Sequence, residues 1–399
     1  MANSIYFHIP FCTTRCGYCD FNTYAGVTHL IPDYVNALSK EVEIYAGFSD
    51  LSPEVHTVYF GGGTPSLLPL DELKKIIGTV NKNYRVQNNA EITLEANPGS
   101  VDEYYFAELI DMGFNRISLG MQSANQDELA VLNRQHTLEQ VVRSVNWAKK
   151  AGIAHISLDL IFGIPGQTME TWEKSLQAAI DLPIDHLSLY SLTVEEGTLL
   201  QKQILRKEIA APDEDLAGSM YEYAMDMLPG SGFTQYEISN WATNLSARSK
   251  HNMHYWNCLP YYGFGAGAHG FLRHYRYENV PGITAYAASL EDFKTCDLQK
   301  MPSQARGSKL SIWEEMQEFM MLGLRLTQEG ISRFDFRKRF SYSLEEVFGE
   351  KIRKLLNRGL IEVDSLDDDR LKLTRNGILF GNRVFIEFVG NKKPAFIAD

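Results

Sequence analysis

His155-Ile156-Ser157-Leu158-Asp159-Leu160-Ile161-Phe162-Gly163-Ile164-Pro165-Gly166 opens as a short run of strand-forming residues and stops at a Gly-Ile-Pro-Gly turn. Beyond the turn, residues 169–182 place apolar side chains at helical spacing, and residues 186–192 form another short apolar run. Strand, helix and strand in such close succession make a βαβ unit, whose two strands lie parallel. The same alternation runs back to the N-terminus. Strand candidates at 5–9, 57–60, 92–95 and 116–119 are separated by helical patterns at 32–45, 70–81, 102–112 and 138–151. Repeated units of this kind predict an α/β fold, a parallel (β/α)6-type partial barrel.

Parallel sheets carry function in the loops at the carboxyl ends of their strands. The unusual residues of this chain fall there. Residues 12–19 follow the first strand, Gly61 to Pro65 the second, Asn97-Pro98 the third, Gln122 the fourth and residues 163–166 the fifth.

The pattern then changes. A helix is expected from 212 to 228, followed by an irregular stretch rich in glycine and aromatic residues at 233–270. Helical patterns at 313–326 and 344–358, apolar runs at 359–363 and 371–373, and a last helix capped by Thr374 predict a smaller winged-helix-like C-terminal domain. The expected boundaries are a barrel domain over 1–275 that includes 233–270, a linker over 276–309 and the C-terminal domain over 310–399. The acidic tip Asp364-Ser365-Leu366-Asp367-Asp368-Asp369 reads as a solvated turn that disfavours DNA contact.

Bulk properties exclude several classes. The 399 residues are 44% hydrophobic and 22% charged, as in a soluble globular protein. A net charge of −12 argues against general nucleic-acid binding, which needs a basic face. No apolar run approaches the ~20 residues of a membrane span, and the N-terminus has the pattern of neither a signal nor a transit peptide. The expected compartment is the cytoplasm.

Of five cysteines, three stand within one short segment, Cys12-Thr13-Thr14-Arg15-Cys16-Gly17-Tyr18-Cys19, and Cys258 and Cys296 lie far away. An odd count in such a chain is a poor disulfide framework. Three thiolates in one loop can each bind one iron of a [4Fe–4S] cubane, leaving the fourth iron open to another ligand. Zinc with His8 as fourth ligand is an alternative, although the spacing is not a usual zinc pattern. A redox pair of Cys16 and Cys19 is another, but it leaves Cys12 unexplained. Cys296 reads as an ordinary free cysteine.

The C-x3-C-x2-C spacing with an aromatic residue before the last cysteine resembles the signature of the radical S-adenosylmethionine (SAM) superfamily. That resemblance implies a [4Fe–4S] cluster on Cys12, Cys16 and Cys19 whose free iron is chelated by SAM. In the family, electron transfer from the reduced cluster cleaves SAM to a 5′-deoxyadenosyl radical, so an electron donor is implied. Phe60-Gly61-Gly62-Gly63-Thr64-Pro65 resembles the family's glycine turn, which assigns Gly62, Gly63 and Thr64 to the SAM amino group. By the same likeness Glu95 takes the ribose hydroxyls, Gln122, Arg134 and Asp159 are further SAM contacts, and Tyr6 and Tyr18 are aromatic neighbours. Arg116 reads as structural.

Residues 1–270 are similar to the oxygen-independent coproporphyrinogen III oxidase family, and the C-terminal portion to that family's extra domain. The oxidases carry a further cysteine two residues after the third, where this chain has Phe21, and a long extension before the first strand. His251-Asn252-Met253-His254-Tyr255-Trp256 matches the HNxxYW motif of the HemW group within the family, described as haem chaperones. The resemblance therefore implies haem and unidentified haem-accepting proteins as partners. An imidazole is a common haem-iron ligand and aromatic rings pack on porphyrin faces. His251, His254, Tyr255 and Trp256 are the haem candidates, with Cys258 and His269 nearby in sequence. A SAM-dependent coproporphyrinogen III oxidase is the competing expectation.

Overall fold

The computed structural model describes residues 3–48, 51–291, 297–364, 369–390 and 392–397. Cys296 and most of the acidic tip, residues 365–368, lie outside the described residues. Two compact units are present, one of Met1–Ser231 with Pro260–Ser308, the other of Gly232–Leu259 with Lys309–Asp399.

In the first unit, strands Asn3–Ile9, Glu54–Gly62, Arg85–Ala96, Arg116–Gln122, His155–Phe162 and His186–Ser191 lie side by side in chain order, each parallel to the next. Helices Ile31–Ala46, Leu70–Asn83, Glu103–Asp111, Leu138–Ala151 and Met169–Ile180 supply the crossovers. These are the strands of the expected partial barrel. Strand alternation sorts the side chains. Phe7, Phe60, Leu94, Ile117 and Leu187 fall on one face and are fully buried. Tyr6, Tyr59, Glu95, Ser118 and Asp159 fall on the opposite parity, which gives the barrel a polar interior.

The sheet continues beyond the first strand. Tyr261–Phe264 pairs parallel with it, and His269–Leu272 and Tyr275–Asn279 follow antiparallel. The expectation of a barrel domain over 1–275 and a linker over 276–309 is corrected here. Residues 232–259 leave the barrel for the second unit, and the supposed linker holds the end of a strand, helix Ile283–Ser289 and strand Gln304–Lys309. Mixed glycine and aromatic residues give neither a two-residue nor a 3.6-residue period, so the sequence pattern could not resolve these elements.

Glu41 fastens this extension. Its fully buried carboxylate accepts from Tyr286 Oη (2.6 Å), Gly265 N (2.9 Å) and Asn279 Nδ2 (2.9 Å). Burial pushes its pKa up from 4.5 to about 7. A raised carboxyl pKa gives stability that is full below the unfolded value and is lost as pH rises through the folded one. Buried His8, His136 and His186 have lowered pKa values and act in the opposite direction, their contribution rising with pH until about a unit above 6.5. Between about pH 6.5 and 8.5, ionisation of Glu41 should by itself cost the fold about 1 kcal/mol, and buried Glu95 acts in the same direction. In thermal melts across that window wild type should lose about 1 kcal/mol relative to Glu41→Gln, in which the other groups cancel, and parallel curves would refute the assignment.

The second unit is built on a core that includes Trp313, Met316, Phe336, Phe348 and Leu371. Helices Ile312–Gly323, Arg333–Phe340 and Leu344–Asn357 pack with a small antiparallel sheet of Ile331–Ser332, Arg370–Leu373 and Ile361–Val363, the winged-helix-like arrangement. Helix Arg333–Phe340 escapes sequence reading because it is highly charged and buries only Phe336 and Phe340. Thr374 accepts from Gly377 N at 3.0 Å and caps a helix that breaks at Phe380 into two short pieces. Hairpin Thr234–Glu237 and Asn240–Ala242 is stitched to this unit by Ile238 N donating to Arg325 O and Thr327 N donating to Tyr236 O. No helix among the described residues is long and apolar enough to cross a membrane.

Candidate active-site cavity

A cavity of about 420 Å3 opens at the carboxyl ends of the parallel strands, and Cys12, Cys16 and Cys19 all line it. Cys12 is buried at the end of the short strand Phe11–Cys12, while Cys16 and Cys19 flank a turn closed by Cys19 N donating to Cys16 O. The loop is pinned from both sides. Gly17 N donates to Leu132 O (3.2 Å), Leu200 N donates to Gly17 O (2.8 Å), and Asn133 Nδ2 donates to Arg15 O (3.0 Å). Burial pushes the Cys12 and Cys19 thiols up, and the negative charge of the neighbouring thiolates pushes in the same direction. Thiolates crowded in this way call for positive charge among them.

The glycine turn after the second strand is folded onto the cysteine loop. Gly63 N donates to Ile9 O and Thr64 N to Phe11 O, both at 2.8 Å. A Cβ on Gly63 would lie 2.6 Å from Phe11 O and 3.1 Å from Cys12 Sγ, so no larger residue fits. Gly62 N donates to Glu95 Oε2 at 3.3 Å. With those N–H groups engaged, the turn has carbonyl oxygens to offer, which suit an ammonium group.

A hydrogen-bond chain runs across the cavity floor. Arg134 Nη1 donates to Asn97 Oδ1 (2.7 Å), Asn97 Nδ2 to Thr64 Oγ1 (3.1 Å), and Thr64 Oγ1 to Cys12 Sγ (3.8 Å). Arg134 Nε is buried with no hydrogen-bond partner among the described residues. Such an orphaned donor is costly unless a ligand completes it. Gln122 sits at φ 63, the left-handed region, and lies with Arg134 over Gly120, where a Cβ would fall 2.6 Å from Arg134 Nη2.

Two buried carboxylates line the same cavity. Tyr59 Oη donates to Glu95 Oε1 at 2.6 Å, and burial raises the Glu95 pKa to about 7. Ser118 Oγ lies 3.0 and 3.1 Å from the two oxygens of Asp159, whose pKa burial also raises. The residues fit the groups expected of them. Three cavity-lining thiols would hold three irons of a cubane, and the rest of the lining offers acceptors, carboxylates and an arginine that would suit a zwitterionic nucleoside.

The structure therefore gathers Cys12, Cys16, Cys19, Tyr18, Gly62, Gly63, Thr64, Glu95, Gln122, Arg134 and Asp159 around one cavity. Tyr6 is not on its wall. It lies beneath Gly61, with its hydroxyl 3.0 Å from His8 Nδ1. His8 Nε2 is 2.9 Å from Asn22 O, so both ring nitrogens are engaged and His8 does not complete a zinc site with the cysteines. Arg116 is buried with Glu91 at 3.7 Å, away from the cavity. Asn97 stands at the carboxyl end of the third strand, where the sequence pattern places it without indicating its partners, and Ser118, which the sequence pattern does not single out, is in register with Glu95.

The haem candidates belong to the second unit and are absent from this cavity. His251, His254, Tyr255 and Trp256 share helix Lys250–Trp256, capped by Ser249. Both histidines are buried, and His251 Nε2 lies 2.8 Å from Tyr255 Oη. Iron could take that nitrogen only if the bond to Tyr255 opened. Cys258 is buried in the same unit, and His269 is an exposed residue of the barrel's antiparallel extension.

Residues 6–179 match the family model described as the radical SAM superfamily, and residues 310–380 match the HemN C-terminal domain. A Lactococcus lactis protein named heme chaperone HemW is 36% identical over 389 residues, 97% of this chain and 97% of its own. A Bacillus subtilis protein of the same name is 35% identical, with 97% of this chain and 99% of that one aligned. Danio rerio radical S-adenosyl methionine domain-containing protein 1, mitochondrial, is 35% identical over 94% of this chain and 84% of its own. The solved structure of Escherichia coli coproporphyrinogen III oxidase (HemN) superposes with a TM-score of 0.82 over 98% of this chain and 90% of that one. At 21% identity that likeness speaks for a shared fold. By its similarity to these relatives over nearly its whole length, the chain belongs to the HemW family of the radical SAM superfamily.

Proposed function

We propose that this protein is a cytoplasmic haem chaperone, which binds a [4Fe–4S] cluster, SAM and haem and passes haem to acceptor haemoproteins. Cys12, Cys16 and Cys19 would hold the cluster, and a separate protein would supply its electron. When bound, the cluster supplies an open iron and a reducing electron to SAM. The chain's own residues position the nucleoside. Arg134 offers its unused Nε to a carboxylate, and the glycine turn offers carbonyl oxygens to an ammonium group. Glu95, with a pKa near neutrality, accepts from ribose hydroxyls. Asp159 is held by Ser118 for a further polar contact.

The observation that carries the chaperone reading over an oxidase is residue 21. Phe21 lines the cavity with 63% of its surface exposed, at the position where the oxidases have a further cysteine. A phenyl ring neither ligates iron nor transfers protons or electrons there. The names of the full-length relatives support the same reading. Haem is assigned to helix Lys250–Trp256, with His251 as iron ligand once Tyr255 releases it.

The test uses purified protein with its cluster reconstituted anaerobically. Titration with haem should give a saturable Soret band, and coproporphyrinogen offered with SAM and a reductant should not be decarboxylated. A protein that binds no haem would sink the proposal. Conversion to protoporphyrinogen would replace it with the oxidase.

A further inference from the structure

Arg325 follows helix Ile312–Gly323, and its guanidinium carbon stands 4.3 Å from the centre of the Trp256 ring and 5.8 Å from that of Phe385. Half-buried arginines of this kind normally pair with a carboxylate. This one has no ion pair within 4.0 Å among the described residues, and its buried Nε has no acceptor. The nearby Glu237 carboxylate is engaged elsewhere, accepting from Ser239 N at 3.0 Å and from Asn240 Nδ2. Trp256 Nε1, on the ring beneath the guanidinium, is a second buried donor without an acceptor among the described residues. Two adjacent orphaned donors on an aromatic floor are what an anionic ligand with a flat apolar body would satisfy.

We infer that Arg325 and Trp256 Nε1 form a carboxylate-binding subsite for a haem propionate at the end of helix Lys250–Trp256. The inference rests on the haem reading above and adds the group that orients the macrocycle. Sequence reading places the whole haem site on the motif itself. Arg325 lies outside the motif and comes to it only through the fold. Because the recognised group is an anion, the subsite separates haem from porphyrins whose propionates are masked.

The experiment compares haem with haem dimethyl ester by Soret titration of the full-length, cluster-reconstituted protein. Wild type should bind haem roughly tenfold more tightly than the ester, the scale of one charge-assisted contact. Arg325→Gln should weaken haem by about the same factor, leave the ester unchanged and so erase the preference. Circular dichroism melts monitor the fold of the variant. Equal wild-type affinity for haem and ester would overturn the inference even if the variant failed to fold. So would a variant that weakened both ligands alike. Wild type that bound neither ligand would instead overturn the haem reading, and the subsite with it.

Discussion

Replacing Cys12 with alanine should leave the protein folded but lower its iron and sulfide content after anaerobic reconstitution roughly tenfold. The expectation rests on where Cys12 stands. It is the most deeply set of the three thiols, and its sulfur ends the hydrogen-bond chain from Arg134 through Asn97 and Thr64. Gly63 packs against the same sulfur. Loss of that thiol removes an iron ligand and the group around which the glycine turn is folded. Cys16→Ala and Cys19→Ala should show the same loss. Cys258→Ala is the control, since that cysteine is buried in the other unit and should leave iron content unchanged. A Cys12 variant with full iron content would place the cluster elsewhere. Because the haem helix belongs to the second unit, the Cys12 variant should keep its haem affinity. Iron analysis and Soret titration of one sample therefore separate the two cofactors.

The sequence made the cluster loop and the SAM wall legible for a physical reason. Side chains that bind from the carboxyl ends of parallel strands must lie in the later half of apolar runs or in the segments that follow them, and Cys12, Gly63, Glu95, Gln122 and Asp159 all do. Their order along the chain is also the order of their strands in the sheet. The remainder depended on tertiary contacts without a local period. Arg325 faces Trp256 from a distant segment of the chain, which no spacing rule reports. Tyr6, an aromatic neighbour of SAM by family likeness, lies beneath Gly61 and is not among the residues that line the cavity. Strands Tyr261–Phe264 and His269–Leu272 were hidden in a glycine-rich stretch, since the glycines that break the pattern are the ones the packing requires.

Gly263→Ala should lower stability by roughly 3–5 kcal/mol, the scale of a severe backbone clash. Gly263 lies in strand Tyr261–Phe264, in parallel register with Tyr6 of the first strand. A Cβ there would fall 1.8 Å from His269 O and 2.4 Å from His269 C. Those atoms are backbone and cannot swing aside, so the hairpin to His269–Leu272 would have to separate. Separation also breaks the bonds around Tyr277, whose Oη accepts from Gly263 N at 3.0 Å and donates to Gly263 O at 3.3 Å. Tyr45 stacks on that ring, and Tyr262 and Phe264 pack edge-on against Tyr45, so the damage would spread into an aromatic cluster. Gly78→Ala supplies the contrast. Gly78 is exposed within helix Leu70–Asn83, with nothing near its added methyl group, and alanine there should raise stability by about 0.5–1 kcal/mol. Thermal and urea unfolding of both variants should therefore move in opposite directions. If Gly263→Ala unfolds together with wild type, the hairpin does not press on that strand, and the antiparallel extension is not the rigid edge of the barrel.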